Sequence, residues 1–330
     1  MKKLKYLVLD CETAGNDFTA EMTAEERKTI NVVKSLIYDI GWAIMDRQGN
    51  IYKKRSFLVS EVFCVPAVFN TAYYAEKRPL YLEMLRNGDI EIKGWNEIAS
   101  LLESDMAECD FFSAYNAAFD TRAISYTELY IKHLYSPDFY EWRDRQKAAC
   151  NRMLAGDKYK RKPEEKKDTE AFQFRSVKMP LVDIWRMSCE DLINTLAYKR
   201  KCLAENMLSD SGLFFKSSAE TSYRYIKDKY DFSEAHMALD DALIEAEILS
   251  KIVKRKAATV GLAAFPFKAL GTTYEYICEE YRKDRVKLKE IEAVLEVMEK
   301  KWESYGEVNH SFKTHLKNII EVLREMEAAL

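Results

Sequence analysis

The sequence has no C-x-x-C pair, although seven cysteines are scattered through it at positions 11, 64, 109, 150, 189, 202 and 278. That spacing argues against a zinc ribbon or a disulfide framework and fits a reducing compartment. No apolar run approaches the roughly 20 residues that a membrane span needs, so no membrane association is expected. Met1-Lys2-Lys3 passes straight into a strand-like run without the shape of a signal peptide, and the expected location is the cytoplasm. A large excess of one charge is also missing. The net charge is only −3, so any contact with nucleic acid must come from local patches. What is present is 330 residues, 48% hydrophobic and 32% charged. This is the composition of a soluble globular protein with a substantial core, organised as one large domain or a domain plus an appendage.

Tyr6-Leu7-Val8-Leu9 is a short continuous apolar run, the pattern of a strand buried on both faces. It stops at Asp10-Cys11-Glu12-Thr13. Residues i and i+2 of an extended chain point the same way, so Asp10 and Glu12 stand side by side. Burying two like charges is unfavourable unless a cation or a proton compensates, and a hard divalent cation with oxygen ligands would do so. Alone, the tripeptide reads first as a solvated strand end.

A polar segment, 14–34, follows, with a short helix expected near 23–28. Loops of that length beside a candidate site are often functional. Residues 35–46 and 51–60 read as strands joined by a turn at Arg47-Gln48-Gly49-Asn50, which makes the opening a three-stranded meander. Residues 95–104 carry the spacing of an amphipathic helix. Residues 109–113 form another apolar run. Asn116 is placed to cap a helix over 117–134, with Asp120 in its first turn. Residues 136–178 are rich in basic residues, centred on Lys158-Tyr159-Lys160-Arg161-Lys162. They read as a solvated insertion or as a basic arm for phosphates, with Tyr159, Phe172 and Phe174 free to stack on bases.

Residues 181–185 read as a short last strand or a strand-to-helix junction, and 192–204 as a helix. Ser217 and Glu220 form a capping box for a helix to about residue 229. His236 lies on the lead-in to a further helix, with Asp241 near its start and an apolar face through 256. Residues 257–272 read as a linker. Beyond it, three- and four-residue apolar steps from Tyr274 to Tyr305, interrupted at Asp284, and from Phe312 to Leu330 predict a helical hairpin or a coiled-coil segment.

Three motifs now stand in order: Asp10-Cys11-Glu12-Thr13, Tyr115-Asn116-Ala117-Ala118-Phe119-Asp120, and His236-Met237-Ala238-Leu239-Asp240-Asp241. Together they resemble the DEDDh 3′→5′ exonuclease family, which includes the DNA polymerase III epsilon subunit, ribonuclease T and oligoribonuclease. The resemblance covers residues 1–256. A sister subclass places a tyrosine four residues before the last aspartate; here that position is Met237, and His236 stands five before.

The resemblance implies an α/β fold with a ribonuclease H-like mixed five-stranded sheet flanked by helices, in a nuclease domain over 1–256. The basic insertion at 136–178 departs from compact members of the family, and the linker at 257–272 and the helical region at 273–330, an α-helical hairpin or coiled-coil segment, lie outside the family core and rest on the residue pattern. The resemblance also implies metal ligation by Asp10, Glu12, Asp120 and Asp241, with two divalent cations, Mg2+ or Mn2+, about 3.5–4 Å apart. Asp10 would bridge them and His236 would take a proton from the attacking water. Asp240 is a decoy beside Asp241. Thr13 and Asn116 would contact the terminal nucleotide.

Ala14-Gly15 departs from the Thr-Gly that often follows this motif in the family. The expected activity is release of nucleoside monophosphates from the 3′ ends of single-stranded DNA, as in proofreading. An RNA-trimming enzyme with the same core and a catalytically silent module acting through its tail are the alternatives. The tail, with Trp302 and Tyr305 on its seam, would pack on its own domain or dock a partner or a second copy.

Overall fold

The computed structural model describes residues 3–19, 22–23, 25–26, 34–155, 170–262, 270–304 and 310–330. The chain forms two compact units, one of residues 1–184 and 234–262, the other of 185–233 and 263–330. The expected division at 256 and 272 follows the chain; the packing instead groups 185–233 with the C-terminal helices. The longer helices are α1 (Arg78–Asn87), α2 (Trp95–Ala107), α3 (Ala117–Leu134), α4 (Phe139–Leu154), α5 (Leu196–Ala204), α6 (Ala219–Lys227), α7 (Ala238–Val253), α8 (Thr273–Arg282), α9 (Leu288–Ser304) and α10 (His310–Ala329). No described helix is long and apolar enough to cross a membrane.

The first unit is built on a mixed sheet. β1 (Lys5–Ala14), β2 (Leu36–Asp46) and β3 (Ile51–Val59) form the antiparallel meander. Every residue of β2 is buried, as an interior strand with both faces covered should be. The turn between β2 and β3 is fixed by Asp46. Its Oδ1 accepts from the Gln48 and Asn50 nitrogens at 2.9 and 3.0 Å, and its Oδ2 accepts from Tyr52 at 2.7 Å.

β4 (Glu91–Lys93) runs parallel to β3, and β5 (Phe111–Ala114) parallel to β1. β6 (Ala171–Phe174) pairs antiparallel with β7 (Val177–Asp183), which runs parallel to β5. The order is β4-β3-β2-β1-β5-β7-β6. The sheet therefore has seven strands rather than the expected five. Strands as short as β4 and β6 carry no readable alternation, and both sit at edges, where short strands leave little open ladder.

Helices flank this sheet. α7 packs on β1 and β2, α3 on β1, β2 and β7, and α2 on β3 and β7. Asp105 of α2 ties three of these elements together. It accepts from Trp42 Nε1 at 2.9 Å and pairs with Lys53 and Arg55, each at 2.7 Å.

Several expectations are corrected. β1 does not stop at Asp10 but continues to Ala14, because pairing with β2 persists past the polar residues. Phe172 and Phe174 are buried, and Phe172 packs on Phe112 with ring centroids 4.7 Å apart, so neither is free to stack on bases. The expected insertion begins as α4 and ends in β6 and β7; its centre at 158–162 lies outside the described residues, as do Tyr305 and half of the helix expected at 23–28. Asn116 holds the N-cap position with φ of 63° and makes no capping hydrogen bond.

In the second unit the capping residue is Ser218, one later than expected. Its oxygen accepts from the Thr221 nitrogen, while Ser217 Oγ accepts from Trp185 Nε1. The apolar run from Tyr274 breaks at its polar interruption, Asp284, whose φ is 52°, and divides into α8 and α9. The Thr272 and Glu275 capping box starts α8. Tyr198, Cys202, Ile277, Ile291, Leu295, Met298, Leu316 and Leu323 form this unit's core, so the apolar seam of α9 and α10 is used within the unit. Trp302 is half-buried there, beneath Lys313 Nζ at 5.0 Å from its ring.

Candidate metal centre

Alternation along β1 puts Asp10 and Glu12 on one side of the strand and Cys11 on the other. A register shift follows between Glu12 and Thr13. β5 partners β1 only from Tyr6 to Val8, so the edge of β1 beyond Val8 is left to the first turn of α3. Asp120 fills that place. Its Oδ1 accepts from Cys11 Sγ at 3.2 Å, and burial, with Asp120 beside it, keeps the Cys11 thiol protonated well above its ordinary range.

Asp241 lies in the first turn of α7, buried, whereas its neighbour Asp240 is exposed. Asp39, the cross-strand partner of Glu12, fixes that helix end. Its Oδ2 accepts from the Ala238 nitrogen at 3.0 Å and from the Tyr81 hydroxyl at 2.9 Å. An orphan donor of the helix N-terminus is thereby satisfied by a carboxylate, the favourable sign for that end.

The ligand atoms of Glu12, His236 and Asp241 all lie within 4.8 Å of one another. His236 Nδ1 is 4.0 Å from Asp241 Oδ2 and 4.0 Å from Glu234 Oε2. Asp10 and Asp120 are outside this tight group but share its field. Burial first, then Glu245, Asp120, Glu12 and Asp241, hold the Asp10 carboxyl far above the usual range. Burial, with Asp39 and Asp241, pushes Glu12 up to about 9, and Lys77 works against that rise. Burial pushes Asp120 up to about 7 despite its hydrogen bond from Cys11.

Glu245, which the motifs do not include, belongs to the same field. It is buried one helical turn past Asp241, is raised by burial and by Asp120, and its Oε2 accepts from the Tyr115 nitrogen at 3.0 Å. The Asp241-to-Glu245 spacing of four on a helix was the available signal. Asp39 gave none, since its place depends on strand register. Thr13 is half-buried and Asn116 exposed, and neither makes a side-chain hydrogen bond among the described residues.

So many neighbouring carboxyls cannot all ionise without compensation. The donor set is oxygen-rich with one imidazole, which fits hard divalent cations. Glu12 and Asp241, with Asp10 and Asp120 beside them, are the residues that could hold them. Comparison with known proteins returned no matching family model and no matching curated protein.

Proposed function

We propose that the chain is a metal-dependent 3′→5′ exonuclease with a ribonuclease H-like core, acting on single-stranded DNA ends. The observation that carries this reading is the convergence of Asp10, Glu12, Asp120, Asp241 and His236. They come from three distant stretches of sequence, yet the four carboxyls lie in one field of like charge and His236 stands with Glu12 and Asp241. The sheet supports it as well, since β3-β2-β1-β5-β7 is a mixed five-stranded centre in which only β2 opposes the others.

Asp10, Glu12, Asp120 and Asp241 would hold two divalent cations, Mg2+ or Mn2+. When bound, such ions lower the pKa of water and stabilise charge on the attacking and leaving oxygens of a phosphodiester. The chain's own groups do the rest. With cations bound, the four carboxylates would exchange mutual repulsion for ligation, and Asp10, Glu12 and Asp120 would give up the protons that burial otherwise holds on them. His236, at the rim of the site, accepts a proton from water at its imidazole nitrogen. Glu245 joins the chain segment ahead of α3 to α7 through Tyr115, fixing Asp120 relative to Asp241. The products are nucleoside monophosphates.

The test is digestion of 3′-labelled DNA and RNA strands of matched sequence with Mg2+ or Mn2+ and with EDTA. Stepwise, metal-dependent loss from the 3′ end of the DNA is expected. Equal or faster loss from the RNA would move the substrate to RNA, and no loss from any strand would remove the nuclease reading.

A further inference from the structure

His236 reaches the site through a left-handed backbone, with φ of 49°. Few residues other than glycine hold that conformation unless their surroundings impose it. Part of those surroundings is one short segment, 74–77, just ahead of α1. The Tyr74 ring lies flat against the imidazole, with centroids 4.5 Å apart and planes at 15°. Lys77 Nζ donates to the Ala235 carbonyl at 2.6 Å and to the His236 carbonyl at 3.2 Å. The same ammonium sits over the Tyr74 ring, 4.2 Å from its centroid.

These contacts close a loop. Lys77 fixes the His236 main chain, Tyr74 fixes the plane of its ring, and Lys77 and Tyr74 hold each other. Tyr74 covers one face of the imidazole and not its nitrogen edge. That edge is the part near Asp241 and Glu234. Tyr73 braces the assembly from outside, edge-on to Tyr74 at 4.8 Å and 89°.

We propose that Tyr74 and Lys77 are positioning residues that hold His236 with its nitrogen edge turned to the carboxylates. The kinetic part rests on the nuclease reading; the conformational part does not. The stack requires a flat ring and not a hydroxyl, so phenylalanine replaces Tyr74 and alanine or leucine does not. The tether requires a donor, so Lys77→Met, which keeps the stem, breaks it.

The test uses the full chain with carbon-13-labelled histidine. There are four histidines, and His236→Gln assigns the resonance. At fixed pH, the His236 ring protons are expected to be shifted upfield by the Tyr74 ring current, to stay there in Tyr74→Phe, and to move downfield in Tyr74→Leu and Tyr74→Ala. Lys77→Met should move or broaden the same signal. In strand digestion, Tyr74→Leu and Lys77→Met should lower kcat by about tenfold or more with KM little changed, as misplacing a reacting group does. Tyr74→Phe should stay near wild type. A His236 signal unmoved in Tyr74→Leu, or Tyr74→Phe as damaging as Tyr74→Leu, overturns the proposal. If wild type cuts no strand, the nuclease reading fails while the resonance still decides whether the clamp exists.

Discussion

Gly41 lies directly under Leu239: a Cβ at Gly41 would sit 2.2 Å from the Leu239 nitrogen. Gly41 is also the cross-strand partner of Asp10. The absence of one side chain on β2 therefore lets the start of α7 settle against the sheet, which brings Asp241 close to β1. The atoms a Cβ would meet are backbone, so the helix itself would have to move. Gly41→Ala is expected to cost about 1–3 kcal/mol of stability, as overpacking does. It should also lower activity by as much as about a hundredfold, since a shift near 1 Å at the reacting groups costs that much. Urea denaturation and strand digestion on the same preparation check both. Unchanged activity would mean that α7 has room to spare.

The carboxyls make stability depend on metal and on pH in a defined direction. In the unfolded chain such groups ionise near pH 4. In the folded protein without metal, burial and mutual repulsion hold the proton on Asp120 to about 7 and on Glu12 to about 9. The folded state thus binds more protons across that window, and metal-free stability falls as the pH rises from about 4 towards 9. A divalent cation bound only to the folded state restores about 2–3 kcal/mol at a hundredfold excess over Kd. The rise in Tm on adding Mg2+ or Mn2+ should therefore be larger near pH 8 than near pH 5, measured against EDTA. Equal gains at both values would contradict it.

Relief of that repulsion should show without any metal. Asp10→Asn removes a carboxyl that, without metal, must either ionise against Glu245, Asp120, Glu12 and Asp241 or hold a proton at a cost that grows with pH. The variant is expected to melt above wild type near pH 8 in EDTA while losing activity, a gain in stability at the expense of function. A variant less stable than wild type under those conditions would show that the charges are already compensated.

Asp105 offers a stability change away from the site. It is buried and receives Trp42, Lys53 and Arg55. Asp105→Ala leaves the buried Trp42 N–H without its acceptor, takes the carboxylate from Arg55 and leaves Lys53 with Glu108 at 3.1 Å. Because Lys53 and Arg55 are partly exposed and reach water, the expected cost is about 1–3 kcal/mol. Activity per folded molecule should stay within about twofold of wild type, as expected for sites that do not share partners. Chemical denaturation and digestion rates check the two halves separately.

What the sequence made legible was local. Leu36–Asp46 and Ile51–Val59 are long strands joined by a turn that Asp46 and Asn50 specify within five residues. The Asp10, Asp120 and Asp241 positions stood out because Asp10 ends an apolar run and Asp120 and Asp241 fall in the first turn of a helix. What was hidden depends on distant partners. Asp39 and Gly41 matter only through β-strand register and the approach of α7. Phe172 and Phe174 looked available because they lie in a basic stretch, yet the pairing of β6 with β7 turns both into the core. The grouping of α5 and α6 with α8, α9 and α10 arises from packing that no periodicity announces.

The most direct test is digestion of a 3′-labelled single strand by wild type and Asp10→Ala, with Mg2+ or Mn2+ and again with EDTA. Wild type should shorten the strand one nucleotide at a time, only with metal, and Asp10→Ala should fall to background while remaining folded. Equal cleavage by the two proteins, or no cleavage by wild type with either metal, would contradict the assignment of this centre.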